Sequence, residues 1–220
     1  MPTSPAPISR SRWAGVPAEE RQAERRAQLI EAGLELLGTE GDAGTTVRAV
    51  CQQARLNPRY FYESFPDRDA LLVGVYDHVV AELGALTAAR VEAVGTDPVA
   101  GVRAGIDTIV RFVADDPRRA KVLYIEALGN EALNRRRIDT NHALMESLVV
   151  LSRDKRERTP ASERVASVGA AVAVGGLSEL ILAWLEGRID IELEQLVDDA
   201  VAMFLAIGET AARLGRAKGR

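Results

Sequence analysis

Residues 45–72 read TTVRAVCQQARLNPRYFYESFPDRDALL and hold four of the chain's eight tyrosines and phenylalanines: Tyr60, Phe61, Tyr62 and Phe65. Val47, Val50, Cys51 and Ala54 recur at spacings of three and four, the period of one face of a short helix. Thr45 or Thr46 can cap its start through a side-chain oxygen. Asn57-Pro58 then opens a second short helix: Asn suits the cap, and proline suits the first helical position because its missing N–H would have no intrahelical partner there. Phe65-Pro66-Asp67 ends that helix, and Asp67 can cap a long third one.

Two short helices on a tight turn, preceded by a helix that packs across them, make a helix-turn-helix, whose second helix enters the major groove of DNA. The pattern required is present. Val47, Val50, Cys51 and Ala54 face inward, Leu56 plugs the turn, and Phe61 and Phe65, four apart, anchor the second helix. Pro58, Arg59, Tyr60, Tyr62 and Glu63 remain outside. An arginine such as Arg59 can pair with guanine O6 and N7, whereas a tyrosine hydroxyl reaches a phosphate oxygen. Backbone N–H groups near Thr46 and Asp67 are further phosphate donors, with Arg68 beside the second.

Outward from this stretch the rest reads as helix. Ala27, Ile30, Leu34 and Leu37 form a stripe from residue 18 onward, and Gly38 and Gly41 are expected to stop that helix. After the long helix from about residue 68, helices are expected over roughly 98–114, 117–129, 130–156, 161–187 and 192–215, separated by Asp-Pro, Gly-Asn, Thr-Pro and Gly-Arg breaks. No strand-like alternation persists. The fold class is therefore all-α, of about nine helices.

With 220 residues, 47% apolar and 27% charged, the chain can bury a sizeable core. Its apolar runs read as too short or too interrupted by charge to span a bilayer, and its first residues lack the apolar stretch of a secretory signal. No membrane is expected, and the cytoplasm is the expected location. The net charge of −4 arises entirely after residue 65, since residues 1–65 carry eight Arg and eight Asp or Glu. Charge thus permits nucleic-acid binding without arguing for it. The single cysteine, Cys51, excludes an internal disulfide and is expected in the core. Of the two histidines, His78 and His142, neither has partners at a metal-ligand spacing, so no metal and no cofactor are expected. No nucleophile–base pair or phosphate-cradling glycine loop stands out, and catalysis is not expected. Arg135, Arg136 and Arg137 read as a solvated or interhelical pairing face. Residues 1–17 read as a flexible arm whose Arg10 and Arg12 could enter a minor groove.

The run AQLIEAGLELLGTEGDAGTTVRAVCQQARLNPRYFYESFPDRDALL resembles the DNA-binding domain of the tetracycline-repressor (TetR) family over about residues 22–82. Tyr62 and Phe65 match its Tyr-x-x-Phe signature. The resemblance implies a DNA-contacting set of Thr46, Arg48, Asn57, Pro58, Arg59, Tyr60, Tyr62 and Arg68, the last replacing a phosphate-contacting lysine. It departs from the family at Arg55, where glycine is usual, and at Arg59, where a small residue is frequent. A non-glycine residue at positive φ is uncommon, so Arg55 either bears strain or the turn differs.

The organisation so implied is an arm (1–17), a DNA-binding domain (18–82, its helix-turn-helix at 46–65), and an effector-binding and dimerisation domain (83–220). Its function would be that of a homodimeric repressor of double-stranded operator DNA, released by a small-molecule effector. Activation is the less usual alternative. Gly169, Gly175 and Gly176 are expected to permit close helix approach at the dimer surface. Sparse aromatics after residue 68 point to an apolar effector, with Tyr124, Asn141, His142 and Trp184 as pocket candidates. The competing reading is an all-α carrier or enzyme using a helical pocket alone, which leaves Arg59, Tyr60 and Tyr62 unexplained.

Overall fold

The computed structural model describes residues 18–151 and 159–218, and its regular elements there are all helical. Nine helices follow in order among the described residues: α1 Ala18–Gly44, α2 Val47–Gln53, α3 Pro58–Ser64, α4 Arg68–Ala93 and α5 Pro98–Asp115 come first. Next is α6, residues 117–129, made of Pro117–Ala120, a π-helical turn Lys121–Glu126 and Ala127–Gly129; α7 Glu131–Leu151, α8 Pro160–Leu185 and α9 Leu193–Lys218 complete the chain. The expected arm, with Arg10 and Arg12, and the expected end of α7 to residue 156 lie outside the described residues.

Local capping chemistry sets the helix starts. Thr46 accepts from the Ala49 N–H at 3.2 Å, Asn57 from the Arg59 N–H at 2.9 Å, and Asp67 from the Ala70 N–H at 2.8 Å. Thr45 is not the cap: it is buried and donates to the Gly41 carbonyl at 2.8 Å. Proline follows the cap in α3, α5, α6 and α8.

The end of α1 differs from expectation. Gly38 lies inside the helix, which continues to a kink at Gly41, where φ is 74°. Gly38 instead permits a close approach: a Cβ there would lie 2.7 Å from Arg118 Cγ and 2.8 Å from Arg118 Cα on α6. The buried side of α1 also runs differently, through Leu29, Ala32, Leu34, Leu36 and Leu37, while Ala27 is exposed.

The α2–α3 turn closes through a left-handed residue. Arg55 has φ 54°, the Leu56 N–H reaches the Cys51 carbonyl at 2.9 Å, and the Arg55 N–H reaches the Gln52 carbonyl at 3.1 Å. This is the Schellman pattern, in which glycine is favoured at the left-handed position. The strained alternative is therefore the one adopted. Relieving a left-handed penalty of roughly 1–2 kcal/mol should outweigh glycine's entropic cost of roughly 0.5–1 kcal/mol, so Arg55→Gly is expected to raise thermal stability slightly. A fall in the thermal midpoint would show that the Arg55 side chain contributes more than its backbone costs.

One buried cluster runs from α1 to α9, containing Leu37, Val50, Cys51, Phe61, Phe65, Leu71, Val75, Val110, Val122, Leu133, Ile181 and Leu196 among others. α4 is a single helix through residue 82, so it runs without a break from the end of the helix-turn-helix into the carboxyl-terminal helices. By length and composition, α4 and α8 are apolar enough to cross a bilayer, more so than the sequence reading allowed. In α4 the apolar residues Leu71, Leu72, Val75, Tyr76 and Val79 are buried. In α8, Ala170, Ala173 and Ile181 are buried while Val168 and Val172 stay exposed, so this helix is apolar on two sides.

Candidate nucleic-acid interface

Seven residues are too few for a helix to stand alone in water, so α3 must be held by its neighbours. Phe61 and Phe65, 0% and 2% exposed, insert into the core with ring centroids 5.9 Å apart. From α1, Gln22 Nε2 donates to the Glu63 carbonyl at 3.2 Å and Arg26 Nη1 to the Ser64 carbonyl at 3.1 Å. These satisfy carbonyls that a helix end leaves without partners. The Arg26 guanidinium also lies 4.1 Å from the Phe65 ring centroid, and Arg25 lies 4.5 Å from that of Tyr60.

The expected outward set is outward. Thr46, Arg48, Asn57, Pro58, Arg59, Tyr60 and Tyr62 are all exposed, Tyr62 at 61% and Arg59 with 81% of its side chain open. Tyr60, at 37%, is the least exposed of the tyrosines on α3, because its ring lies against Arg25. Arg59 Nε donates to Glu63 Oε1 at 2.9 Å, an i,i+4 pair along the helix.

Arg68 differs from the phosphate-contacting expectation. Its guanidinium turns inward, donating from Nε to the Thr45 carbonyl at 2.7 Å and from Nη2 to the carbonyl and the carboxylate of Asp42, the latter at 2.6 Å. It thereby ties the start of α4 to the α1–α2 loop. Asp42 also accepts from Asn130 Nδ2 at 3.1 Å, and its N–H donates to Glu126 Oε2 at 3.0 Å. The loop that carries Thr46 is thus fastened to α4 and α6 together.

Farther along, Arg118 joins α6 to α1 through Glu35 at 2.6 Å and pairs with Asp116 at 2.7 Å. Its hydrogen bonds hold the Asp116 carboxyl below its ordinary value. Arg119 reaches Glu82 of α4 at 2.7 Å and lies over the Phe112 ring at 4.1 Å.

The effector candidates are only partly brought together. Burial, with Tyr76 adding to it, pushes the Tyr124 hydroxyl above its ordinary pKa. Tyr76 is 3% exposed, and burial raises its hydroxyl above the ordinary value; Thr140, the neighbour of half-buried Asn141, donates to the Arg136 carbonyl at 3.0 Å. His142 is exposed on α7, and the Trp184 Nε1–H is engaged by the Ile191 carbonyl at 2.9 Å, holding the α8–α9 turn. Tyr76 is not among the sequence candidates, since its closeness to Tyr124 joins α4 to α6 and leaves no local pattern. Two shallow hollows, about 350 and 440 Å³, involve none of these residues: one lies between Glu19, Gln22, Arg26 and Ser64, the other between Asp69, Glu131, Arg135 and Asp139.

Gly169 does allow a close approach, but to α9 of the same chain, where its Cβ would lie 3.2 Å from Ala211 Cβ. Gly175 and Gly176 meet nothing within 4 Å and are exposed.

Residues 29–75 match the family described as bacterial regulatory proteins, tetR family. The HTH-type transcriptional regulator BetI of Paraburkholderia phytofirmans is 30% identical over 169 residues, 75% of this chain and 82% of that protein. BetI of Burkholderia ambifaria is 39% identical over 80 residues, 36% of this chain and 41% of that protein. The fatty acid degradation regulator FadR from Bacillus halodurans shares the fold, with a TM-score of 0.68 at 15% identity over 82% of this chain and 94% of its own. So does the multidrug binding protein EbrR complexed with imidazole, with a TM-score of 0.61 at 19% identity over 81% and 93%. A helix-turn-helix with this exposed face, the family match over it and a BetI relative across most of the chain agree: the chain belongs to the TetR family of bacterial transcriptional regulators.

Proposed function

We propose that this regulator is a homodimeric repressor that reads a near-palindromic operator through α3 and leaves it when a small molecule binds among the carboxyl-terminal helices. The observation that carries the DNA-reading part is the division of α3: Phe61 and Phe65 are buried, while Arg59 and Tyr62 stand out from the same seven residues. Arg59 reads base edges, Tyr62 grips a phosphate, and Thr46, Arg48, Asn57, Pro58 and Tyr60 supply the surrounding contacts. Arg68 acts through the Thr45–Thr46 loop that it fastens. Residues 18–82 form the DNA-binding part and 83–220 the effector and dimer part, acting in the cytoplasm where the chromosome lies.

Dimerisation uses the outer face of α8 and α9, where Val168, Val172 and Met203 are 60%, 55% and 69% exposed beside the open Gly175 and Gly176. An apolar face of this kind on two adjacent helices suits a second copy of itself. Dimerisation then sets two copies of α3 about 34 Å apart, one turn of DNA. The effector is a largely apolar molecule that meets Tyr124 and Asn141 between α4, α6 and α7. FadR and EbrR, whose names specify fatty acid degradation and multidrug binding, lend support to that class. Release requires that the effector bind one conformer more tightly than the other.

Selection of bound sequences from random duplex DNA, followed by a screen of metabolites for release, tests the reading. Arg59→Ala is expected to cost about 1–3 kcal/mol of discrimination at one base pair of each half-site. Tyr62→Phe is expected to weaken binding evenly across sequences. Unchanged operator affinity in both variants would remove α3 from the interface.

A further inference from the structure

Arg59 is held from behind. Its Nε–H donates to Glu63 Oε1 at 2.9 Å, and the other carboxylate oxygen, Oε2, lies 3.6 Å from Arg25 Nη2 on α1. Arg25 is fixed in turn: its side chain is 23% exposed, and its guanidinium covers the Tyr60 ring at 4.5 Å. Exposure thus falls along the series, from 81% at Arg59 to 35% at Glu63 and 23% at Arg25. An exposed reading group is connected to a packed one.

The atoms used decide what this connection can do. A guanidinium can donate to guanine O6 and N7 through its two terminal Nη groups. Glu63 takes only the Nε–H, on the other side of the group, and leaves that terminal edge free. The carboxylate therefore orients Arg59 without occupying its base-reading donors. Exposed i,i+4 pairs add little to stability, so the consequence is directional. Lone arginines on a surface sample many rotamers, and ordering one at binding reduces the discrimination it can deliver.

We propose that Glu63 is a positioning residue for base recognition, and that Arg25, reaching across from α1, fixes Glu63 so that Arg59 presents its terminal edge to guanine. This rests on the reading of α3 as the DNA-contacting helix. It also accounts for an acidic residue on a surface otherwise suited to phosphates: Glu63 is neutralised by two arginines, one of which remains when DNA engages the other.

The test uses the full-length chain and duplexes recovered by selection from random DNA, with every base pair of the site replaced in turn. Arg59→Ala should flatten preference at one base pair per half-site by about five-fold to a hundred-fold, the range for one bidentate contact. Glu63→Ala should flatten the same base pair by about three-fold or more, a part of that contact. Affinity for duplexes lacking the site should stay equal or rise, because a negative charge has left the surface. Glu63→Gln, which keeps an oxygen acceptor for the Arg59 Nε–H, should fall between the unaltered chain and Glu63→Ala. Arg25→Ala should act at the same base pair, with partial recovery in Arg25→Lys. In the Arg59→Ala background, Glu63→Ala should change nothing further there.

Thermal unfolding of each variant reports folding separately. If Glu63→Ala tightens the selected duplex and keeps full preference, Glu63 competes for Arg59 and the proposal fails. Equal weakening on all duplexes also overturns it, as a purely structural role. If Arg59→Ala flattens one base pair but Glu63→Ala leaves it intact, the positioning role alone is lost. If Arg59→Ala leaves every base pair unchanged, the reading of α3 falls with it.

Discussion

Phe61→Ala is expected to destabilise the chain by about 3–5 kcal/mol, the range for truncating a buried aromatic ring. Phe61 is 0% exposed and among the largest fully buried side chains, with Tyr62 edge-on to it at 5.3 Å and Phe65 at 5.9 Å. A domain's net stability is only about 5–15 kcal/mol, so this loss is a large share of the total. Operator binding should be lost with it, since α3 has too few residues to keep its helix once its anchor is gone. Denaturant unfolding measures the first effect and duplex binding the second. A loss under about 1 kcal/mol, well below the cavity range, would mean that the Gln22 and Arg26 bonds from α1, not the aromatic anchor, hold α3 down.

Gly38→Val is expected to destabilise by about 3 kcal/mol, at the upper end of what overpacking a close contact costs. Two effects oppose each other here. Removing glycine from a helix interior is favourable by a few tenths of a kcal/mol up to about 1 kcal/mol. Against it, the new Cβ would lie 2.8 Å from the Arg118 backbone, where no flexible side-chain end can yield. The clash wins, and α1 must separate from α6. The separation would strain Arg118–Glu35, the Lys121 Nζ–Thr39 carbonyl contact and the Glu126 bond to the Asp42 N–H. Since that last bond fastens the loop bearing Thr46, operator affinity should fall along with the thermal midpoint. A rise in the midpoint would show that the α1–α6 contact relaxes freely, and would remove Gly38 as a determinant of how the two parts dock.

Much of this molecule is local and was therefore legible from its letters. Asn57 and Asp67 cap helices because each side-chain oxygen meets an N–H two or three residues ahead, a geometry independent of the remaining fold; at α2 the letters allow Thr45 or Thr46, and only the Thr45 bond to the Gly41 carbonyl leaves Thr46 as the cap. Phe61 and Phe65 had to share a face, since four residues make about one helical turn. At Arg55 the letters leave two outcomes open, a strained left-handed residue or a different turn, and a φ of 54° shows that the first is adopted. The outward direction of Arg59 and Tyr62 follows from the inward direction of the phenylalanines.

Side chains that reach across the chain were not legible. Arg68 occupies a position suited to phosphate by sequence, yet it turns to groups 23 and 26 residues away, because the α1–α2 loop offers two carbonyls and a carboxylate at the start of α4. Gly38 read as a stop signal, and only the arrival of Arg118, 80 residues later, shows it to be a contact point. Trp184 and His142 read as pocket groups; the Ile191 carbonyl engages the Trp184 Nε1–H, and His142 lies exposed on α7. Sequence alone determined where the helices begin, which way each short one faces and which family the surface suits, since hydrogen bonds and apolar spacing within a few residues decide those. Tertiary structure decided which charges are free to meet DNA: a long arginine can satisfy its five donors with whatever acceptor packing brings near, and that choice is made across the fold.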